Sequence, residues 1–428
     1  MNRRHFVSAS FQAAAGLGLA AETAAANEAI ERARQAAIEA LKPSRRALEH
    51  GLELHAGSLV VESYGFSPRA APDGDAVRAA IEAGASEAEL QDLQEEMSMT
   101  RCVTDPAERA EYVDAWRAAG VTCILQNAGE EGQDPLRLLK RLARFTYVTD
   151  MLPDFVRKAA EPGSIVAAKK QNRRCLYFSG NGVPLAGQWA TAPEELGYVR
   201  IFFQLGIRMM HVTYNRRNML GDGCAETADA GLSDLGRAAI AEMNRVGVIV
   251  DVAHSGWRTS LEAARASKLP MVASHTSCLA LNQHIRAKPD EVIRAIVDTG
   301  GYIGICSIPQ FLGRSGDIRA MLDHIDYVVK RFGADHVAIG TDVAYTSRAA
   351  AAEYKKIPPR RRSRARFEYF WPSGSLGPSS AADRTMEWTN WPMFTVGMVE
   401  RGHSDADIQK ILGGNVLRVA AAVLPKRA

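Results

Sequence analysis

Eight short apolar runs rich in β-branched residues recur along the chain, and helical patterns separate most of them. The runs span residues 59–61, 121–126, 175–178, 209–213, 248–252, 271–274, 302–306 and 337–340. Helical patterns lie at 232–246, 257–267, 290–299 and 318–332, for example. Nearly continuous apolar strands that alternate with helices indicate a parallel sheet buried on both faces. Eight such units in 428 residues predict an α/β fold, a closed (β/α)₈ barrel of the TIM type.

Composition and charge exclude several classes of protein. No glycine-rich phosphate-binding motif opens a predicted helix, which disfavours a dinucleotide-binding fold. The formal net charge of +3 over 428 residues gives no reason to expect a nucleic acid or an anionic membrane as partner. No apolar run approaches 18 residues, so we expect no transmembrane helix. A homodimer is compatible with the sequence.

The first 26 residues have the pattern of an export signal. Arg3 and Arg4 precede an apolar pair, an Ala- and Gly-rich stretch follows at 9–21, and three alanines end it at 24–26. This order is typical of a twin-arginine signal peptide. It predicts a mature protein that starts near Asn27 and works in the periplasm or outside the cell. The alternative is a cytosolic protein with an Ala-rich N-terminal helix.

Residues 27–428 are predicted to form one barrel domain. Its first segment, 27–50, has the pattern of an amphipathic helix. Residues 343–387 break the strand–helix alternation, with a basic cluster followed by aromatic residues at 367–371. Because this segment follows the last strand, we expect an insertion loop over the barrel mouth. It is either a solvated insertion or a lid that contacts an anionic substrate.

Six cysteines occur, and none has Cys-x-x-Cys spacing. This spacing argues against a thiolate metal cluster or a redox motif. Disulfide pairing and burial as small apolar side chains both remain open for an exported protein.

Three polar residues end predicted strands. His254 follows the fifth run, His275 follows the sixth and Asp342 follows the eighth. Active sites of parallel barrels lie at the C-terminal ends of the strands, so we expect these side chains to share one mouth. Imidazole and carboxylate are ligands for zinc and similar ions. Asp342 could instead act as a base, and a single strand-end histidine is more often structural.

Arg286 lies shortly after the sixth run. An arginine at this place could hold a substrate carboxylate through two parallel hydrogen bonds. The alternative is an arginine on a surface loop.

An ordered series of segments resembles the renal (membrane) dipeptidase family of zinc peptidases over most of residues 55–425. The segments are 231–237 (GLSDLGR), 251–254 (DVAH), 274–277 (SHTS), 284–286 (HIR), 340–342 (GTD) and 411–419 (ILGGNVLRV). The resemblance implies a metal-dependent hydrolase barrel with two zinc ions bridged by a glutamate. His254 and His275 match the ligands of the second zinc. Arg286 matches the arginine that holds the dipeptide carboxylate, and Asp342 matches the acid/base aspartate.

Four family residues are replaced. Tyr64 and Phe66 stand where the family has the His-x-Asp ligand pair of the first zinc, and Ser179 stands in place of the bridging glutamate. Tyr214 replaces the histidine that polarises the scissile carbonyl. The sequence therefore predicts one zinc ion, held by His254, His275 and Asp342. Asp342 and Tyr214 are the predicted catalytic residues, and Glu62, Tyr64 and Tyr214 are candidate replacements for the lost groups.

The retained residues favour a metal-dependent hydrolase of the dipeptidase type. Its substrate would be small, peptide-like and carboxylate-bearing. Two alternatives remain on the same barrel. The first is a non-hydrolytic enzyme that tailors a peptide-derived product, because tyrosines fill two of the lost positions. The second is a non-catalytic ligand-binding homologue, because half of the metal site is missing.

Overall fold

The computed structural model describes residues 27–129, 133–188, 191–359, 370–375 and 381–424. The predicted export signal at 1–26 lies outside the described residues. Residues 360–369, which include most of the basic cluster, also lie outside them. Eight strands form the main sheet: β1 (Val61–Gly65), β2 (Cys123–Asn127), β3 (Arg174–Gly180), β4 (Ile207–His211), β5 (Ile249–Asp251), β6 (Val272–Cys278), β7 (Tyr302–Ile305) and β8 (Val337–Ile339). The predicted (β/α)₈ architecture is confirmed.

The strands follow one another around the sheet in chain order, and each neighbouring pair is parallel. At the seam between the first and last strands, the Asp342 amide donates to the Tyr64 carbonyl over 3.3 Å. The C-terminal ends of all eight strands therefore surround one mouth.

Helices cover the outside of the barrel. They are α1 (Glu28–Leu41), α2 (Arg45–Gly57), α3 (Gly74–Glu82), α4 (Glu87–Thr104), α5 (Pro106–Ala119), α6 (Pro135–Met151), α7 (Pro162–Lys170), α8 (Ala192–Leu205), α9 (Asp234–Val246), α10 (Trp257–Ala266), α11 (Asp290–Asp298), α12 (Pro309–Leu312), α13 (Ile318–Phe332), α14 (Ala350–Lys356), α15 (Trp391–Glu400), α16 (Asp405–Gln409) and α17 (Asn415–Val423). Short 3₁₀ turns lie at Ala334–His336, Ala381–Met386 and Trp388–Asn390, and a π turn lies at Lys410–Gly414.

Capping residues set where several of these helices begin and end. Ser86 and Glu89 form a reciprocal capping box at the start of α4, which satisfies two otherwise free backbone amides. Gly206 and Gly247 end α8 and α9 in the left-handed region, with φ of 117° and 97°. Glycine adopts this conformation without steric cost, so the chain turns directly into β4 and β5.

The prediction of one helix over 27–50 was wrong. The segment forms α1 and α2, separated at Lys42, Pro43 and Ser44. Pro43 disfavours helical backbone at the residue before it, and the Ser44 hydroxyl accepts from the Ala47 amide to start α2. The structure also adds two short strands, Val156–Lys158 beside β3 and Ala287–Lys288 beside β6.

The barrel interior is packed with side chains that alternate along the strands. Cys123, Tyr177, Met209 and Ile249 belong to one buried cluster, which also contains apolar residues of α17. A filled interior below the mouth leaves the strand ends as the place for chemistry.

Two further expectations concern disulfide bonds and transmembrane helices. All six cysteines lie in the described part of the chain and none forms a disulfide; five are buried and Cys224 is partly exposed. In the described ranges, every helix is too short or too polar to span a bilayer.

Candidate functional site

His254 and His275 face each other at the mouth. Their Nε2 atoms lie 2.9 Å apart, and the two residues are 2% and 0% exposed. The Nδ1 atom of His254 lies 2.6 Å from Asn215 Oδ1, and that of His275 lies 2.8 Å from Ser274 Oγ. These contacts fix both rings and direct the Nε2 atoms toward one point, as second-shell partners do for metal-binding histidines.

The electrostatic environment keeps this histidine pair neutral. Burial lowers the pKa of both imidazoles well below its usual range, and the Arg286 guanidinium lowers it further. A neutral imidazole has a free lone pair and is the form that binds metals.

Asp342 stands beside the pair at the end of β8. Its Oδ2 atom lies 3.9 Å from His275 Nε2, and its backbone has a φ of 60°. Left-handed backbone at a residue with a side chain is uncommon and often marks a functional position. Desolvation raises the pKa of this carboxyl to about 6, against an opposing effect of Arg286.

Arg286 is fully buried behind the histidines. One terminal nitrogen, Nη2, donates to the His275 carbonyl over 2.8 Å, and Nε donates to the Ala253 carbonyl over 3.3 Å. Nη1 has no hydrogen-bond partner among the described residues. A buried cation with an unused donor favours an anionic ligand. Because the side chain is buried, the alternative of a surface arginine is wrong, and one nitrogen rather than two lacks a partner among the described residues.

Two tyrosines pack on the histidine rings. Tyr64 stacks on His275 with centroids 3.9 Å apart and planes 12° apart. Tyr214 stacks on His254 at 4.2 Å and 28°. The two tyrosines that replace family histidines therefore cover the faces of the two retained histidines.

The side of the mouth where the family binds its first metal has few ligand groups here. The Tyr64 hydroxyl donates to Asn181 Oδ1, and Phe66 packs under the Arg69 guanidinium at 4.7 Å. Ser179 Oγ is buried without a hydrogen-bond partner in the described part of the chain. A phenyl ring cannot coordinate a metal, and a neutral hydroxyl is a weak substitute for a bridging carboxylate.

Glu62 does not replace the missing ligands. One carboxylate oxygen accepts from the hydroxyl and amide of Thr341, and the other accepts from the Trp388 indole over 2.7 Å. Burial raises the pKa of Glu62 to about 8. A Cβ atom at Gly65 would lie 2.3 Å from Glu62 Oε1, so glycine there leaves room for this carboxyl. Glu62 joins β1 to the residues after β8.

His211 and Asp251 are site residues that the sequence analysis missed as ligand candidates. They are register partners at the ends of β4 and β5, and His211 Nε2 lies 2.7 Å from Asp251 Oδ2. Together with His275 they form a group whose candidate ligand atoms all lie within 4.8 Å of one another. The available signal was a histidine inside the fourth apolar run, 209–213, although the sequence did not show that the strand ends at that residue.

Part of the predicted insertion contacts the mouth. Phe370 meets Tyr214 edge to face with centroids 5.1 Å apart. Trp371 stacks on Phe311, and Phe311 lies 5.2 Å from the Arg286 guanidinium. The carbonyl of Ser375 lies 3.0 Å from His284 Nε2. The described residues at 370–375 therefore lie over the histidine and arginine side of the site.

The donor set fits a divalent metal ion such as zinc. Two imidazole nitrogens bound to one tetrahedral zinc at about 2.0–2.1 Å lie roughly 3.3 Å apart. The 2.9 Å between the Nε2 atoms of His254 and His275 requires only a small separation of the rings. Their neutral state and their bonded Nδ1 atoms suit the same role.

The model of one protein family matches residues 107–354, more than half of the chain: Membrane dipeptidase (Peptidase family M19). The chain belongs to this family. Membrane dipeptidases of this family are metallopeptidases, which agrees with the donor set at the mouth.

Individual relatives cover different shares of the chain. The dipeptidase tcpJ of Claviceps purpurea is 28% identical over 267 residues, which is 60% of this chain and 55% of the relative. The chain spans about half the length of the curated relatives it matches.

Solved structures match over nearly the whole barrel. An amidohydrolase from Pseudomonas aeruginosa has a TM-score of 0.65 at 25% identity, covering 88% of this chain and 99% of that one. A metallopeptidase from Rhodobacter sphaeroides, liganded with a phosphinate mimic of the dipeptide L-Ala-D-Ala, has a TM-score of 0.60 at 15% identity. It covers 86% of this chain and 99% of its own. At such identity the likeness shows the fold.

Proposed function

We propose that the protein is a metal-dependent hydrolase of the dipeptidase type, with one zinc ion instead of two. Its substrate is a small peptide-like molecule with a free carboxylate. The observation that carries this proposal is the pair of buried histidines whose Nε2 atoms converge at 2.9 Å beside Asp342. The convergence of these residues supports retention of the family's second metal site.

His254 and His275 would hold the ion. When bound, such an ion acts as a Lewis acid that polarises an amide carbonyl and activates water. The remaining chemistry belongs to the chain. With a pKa of about 6, Asp342 is mostly ionised at neutral pH, so it can accept a proton at Oδ2. It can then return that proton to the leaving amine.

Binding and orientation of the substrate would fall to Arg286 and Tyr214. The unpartnered Nη1 of Arg286 would donate to the substrate carboxylate, while its other nitrogens remain fixed on backbone carbonyls. The Tyr214 hydroxyl takes the place of the family histidine that polarises the scissile carbonyl. A neutral hydroxyl donor there would stabilise developing negative charge on oxygen.

The test is hydrolysis of a dipeptide panel, with each dipeptide supplied as the free acid and as the C-terminal amide. We expect turnover of the free acids and a loss of about 100-fold or more in kcat for Asp342→Asn, the range for a general base. Asp335→Asn, on the surface outside the mouth, is the matched control and should keep full turnover. Absence of product from every dipeptide in the zinc-loaded wild type would contradict the proposal.

One observation favours a second candidate, a non-hydrolytic enzyme on the same barrel. Tyr64 lies in stacking contact with His275, at the place of a lost metal ligand. A wild type that binds carboxylate-bearing peptides but releases no amino acid from them would support this candidate or a ligand-binding role.

We also propose that residues 1–26 direct export by the twin-arginine route. The support is the order of basic, apolar and small residues described above. Replacing Arg3 and Arg4 with lysine should leave the precursor in the cytoplasm. An equal amount of protein outside the cytoplasm after that change would contradict the assignment.

A further inference from the structure

Three imidazole rings form a nearly equilateral triangle at the bottom of the mouth. The ring centroids of His254 and His275 are 4.9 Å apart. The His211 centroid lies 5.2 Å from the first and 5.3 Å from the second. Because His211 ends β4, His254 closely follows β5 and His275 lies in β6, the barrel itself brings the three rings together.

The size of this triangle matches that of three imidazoles around one ion. With zinc–nitrogen bonds of about 2.0–2.1 Å and tetrahedral angles, the ring centres lie about 5 Å from one another. The three centroid distances are therefore compatible with one ion between the rings.

Asp251 lies beside one ring nitrogen of His211. Its Oδ1 atom accepts from the amides of Ala253 and Ser274 over 2.9 and 3.1 Å, so the carboxylate is fixed by the backbone. Its Oδ2 atom lies 2.7 Å from His211 Nε2. Both residues are fully buried. A carboxylate against one ring nitrogen of a histidine is the usual second-shell arrangement at metal sites.

The hydrogen bonding of His211 is incomplete in the described structure. The Nε2 atom and Asp251 Oδ2 are close but lack hydrogen-bond geometry, and Nδ1 has no partner among the described residues. Buried polar atoms without partners are rare, and each calls for an explanation, such as strain, a functional role, a bound water or an ion. If Nε2–H points toward Asp251, the lone pair of Nδ1 is the one left for an ion.

We propose that His211, oriented by Asp251, is the third imidazole ligand of the ion held by His254 and His275. This inference rests on the proposed function only in assuming that ion. His211 then takes over the ligand position vacated by the bridging glutamate, where Ser179 now stands. Three histidine ligands leave a fourth position open, and Asp342 remains free for proton transfer instead of serving as a ligand.

X-ray absorption spectroscopy of the zinc-loaded wild type counts the imidazoles directly, and we expect three. Chelator competition then measures zinc affinity in His211→Gln and Asp251→Asn. We expect losses of more than about 100-fold for the ligand and about 10–100-fold for its partner. The matched control is His55→Gln, because His55 is equally buried but bonds Thr395 and Ala119 outside the mouth. Its zinc affinity should equal that of the wild type.

Two imidazoles in the wild-type spectrum, or unchanged affinity in His211→Gln, would overturn the inference. In that case His211 and Asp251 form a buried structural pair. The spectrum of the wild type decides the question even if a variant does not fold. Dipeptide hydrolysis with only two imidazoles would overturn this inference and leave the proposed function standing. If zinc binding depended on His211 but the protein hydrolysed no dipeptide, this inference would stand and the proposed function would fall. A wild type that binds no zinc would overturn both the inference and the proposed function.

Discussion

The two halves of the barrel mouth differ in what stands at the ends of the strands. In the half built from β5 to β8, His254, His275 and Asp342 present nitrogen and oxygen atoms to one point. In the half built from β1 to β3, Tyr64 and Phe66 present aromatic rings where the family has metal ligands. The first half carries the proposed ion site, and the second half is occupied by aromatic side chains.

The difference shows how one fold can lose half of a site and keep the other half ordered. The polar half is held by groups of its own: Asn215 and Ser274 orient the two histidines, and backbone carbonyls hold Arg286. The aromatic half adds to that order, since Tyr64 packs on the face of His275. The strands below are unaffected, because function lies at their ends and stability lies in the packed interior.

The largest effect should come from removing a histidine of the polar half. His275→Ala leaves too few ligands for tight zinc binding, so zinc content should fall to about one tenth of an ion per chain or less. His336→Ala, on the outside of the barrel, is the control and should retain its metal. Elemental analysis measures the zinc content of both variants. Full zinc content in His275→Ala would show that the ion binds elsewhere.

Restoring the lost ligands in the aromatic half should create a second metal site. The triple variant Tyr64→His, Phe66→Asp and Ser179→Glu recreates the family ligand pair and the bridging carboxylate. We expect zinc content to rise from one ion to two, because the barrel backbone already places these strand ends correctly. The double variant that lacks Ser179→Glu should show a smaller increase in zinc content. A folded triple variant that still binds one ion would mean that the aromatic half differs in backbone as well as in side chains.

Loss of the arginine guanidinium should have an intermediate effect. Arg286→Ala should weaken binding of a carboxylate ligand by about 1.5–3 kcal/mol, the range for a charge-assisted hydrogen bond. Arg286→Lys should recover only part, since lysine cannot also bond the two backbone carbonyls in the same geometry. Titration calorimetry with the acid and amide forms of one ligand measures both. If the wild type bound the acid and amide forms with equal affinity, the ligand carboxylate would not contribute to binding.

The smallest effect should come from the group that orients His254. Asn215→Ala removes the Oδ1 acceptor 2.6 Å from His254 Nδ1, and zinc affinity should fall about 10-fold, at the low end for second-shell partners. Asn218→Ala is the matched control. It lies in the same loop and bonds the Val212 carbonyl instead of a histidine. Equal losses in both variants would indicate loop destabilisation and not ligand orientation.

The sequence predicted the barrel and the retained half of the site for a physical reason. Buried parallel strands require continuous apolar runs, and the residue after such a run falls at the mouth. His254, His275 and Asp342 could therefore be placed at the mouth from the sequence alone. The carboxylate-binding role predicted for Arg286 rests on the family resemblance.

The deeper part of the site could not be predicted in the same way. His211 and Asp251 are 40 positions apart in the chain, and they meet because the register of β4 and β5 makes them partners. Register and side-chain rotamers also decide that Tyr64 lies flat on His275. Neither can be obtained from the spacing of apolar residues alone. Pro43 is a sequence signal for the break between α1 and α2. The amphipathic pattern continues on both sides of it, so the sequence analysis predicted a single helix.

The metal content of the purified wild-type protein tests the central claim most directly. Elemental analysis after exchange into metal-free buffer should find one divalent ion per chain, most of it zinc. Two ions would show that the aromatic half still binds metal, which contradicts the role assigned to Tyr64 and Phe66. No ion, after zinc has been supplied, would contradict the metal-dependent mechanism itself.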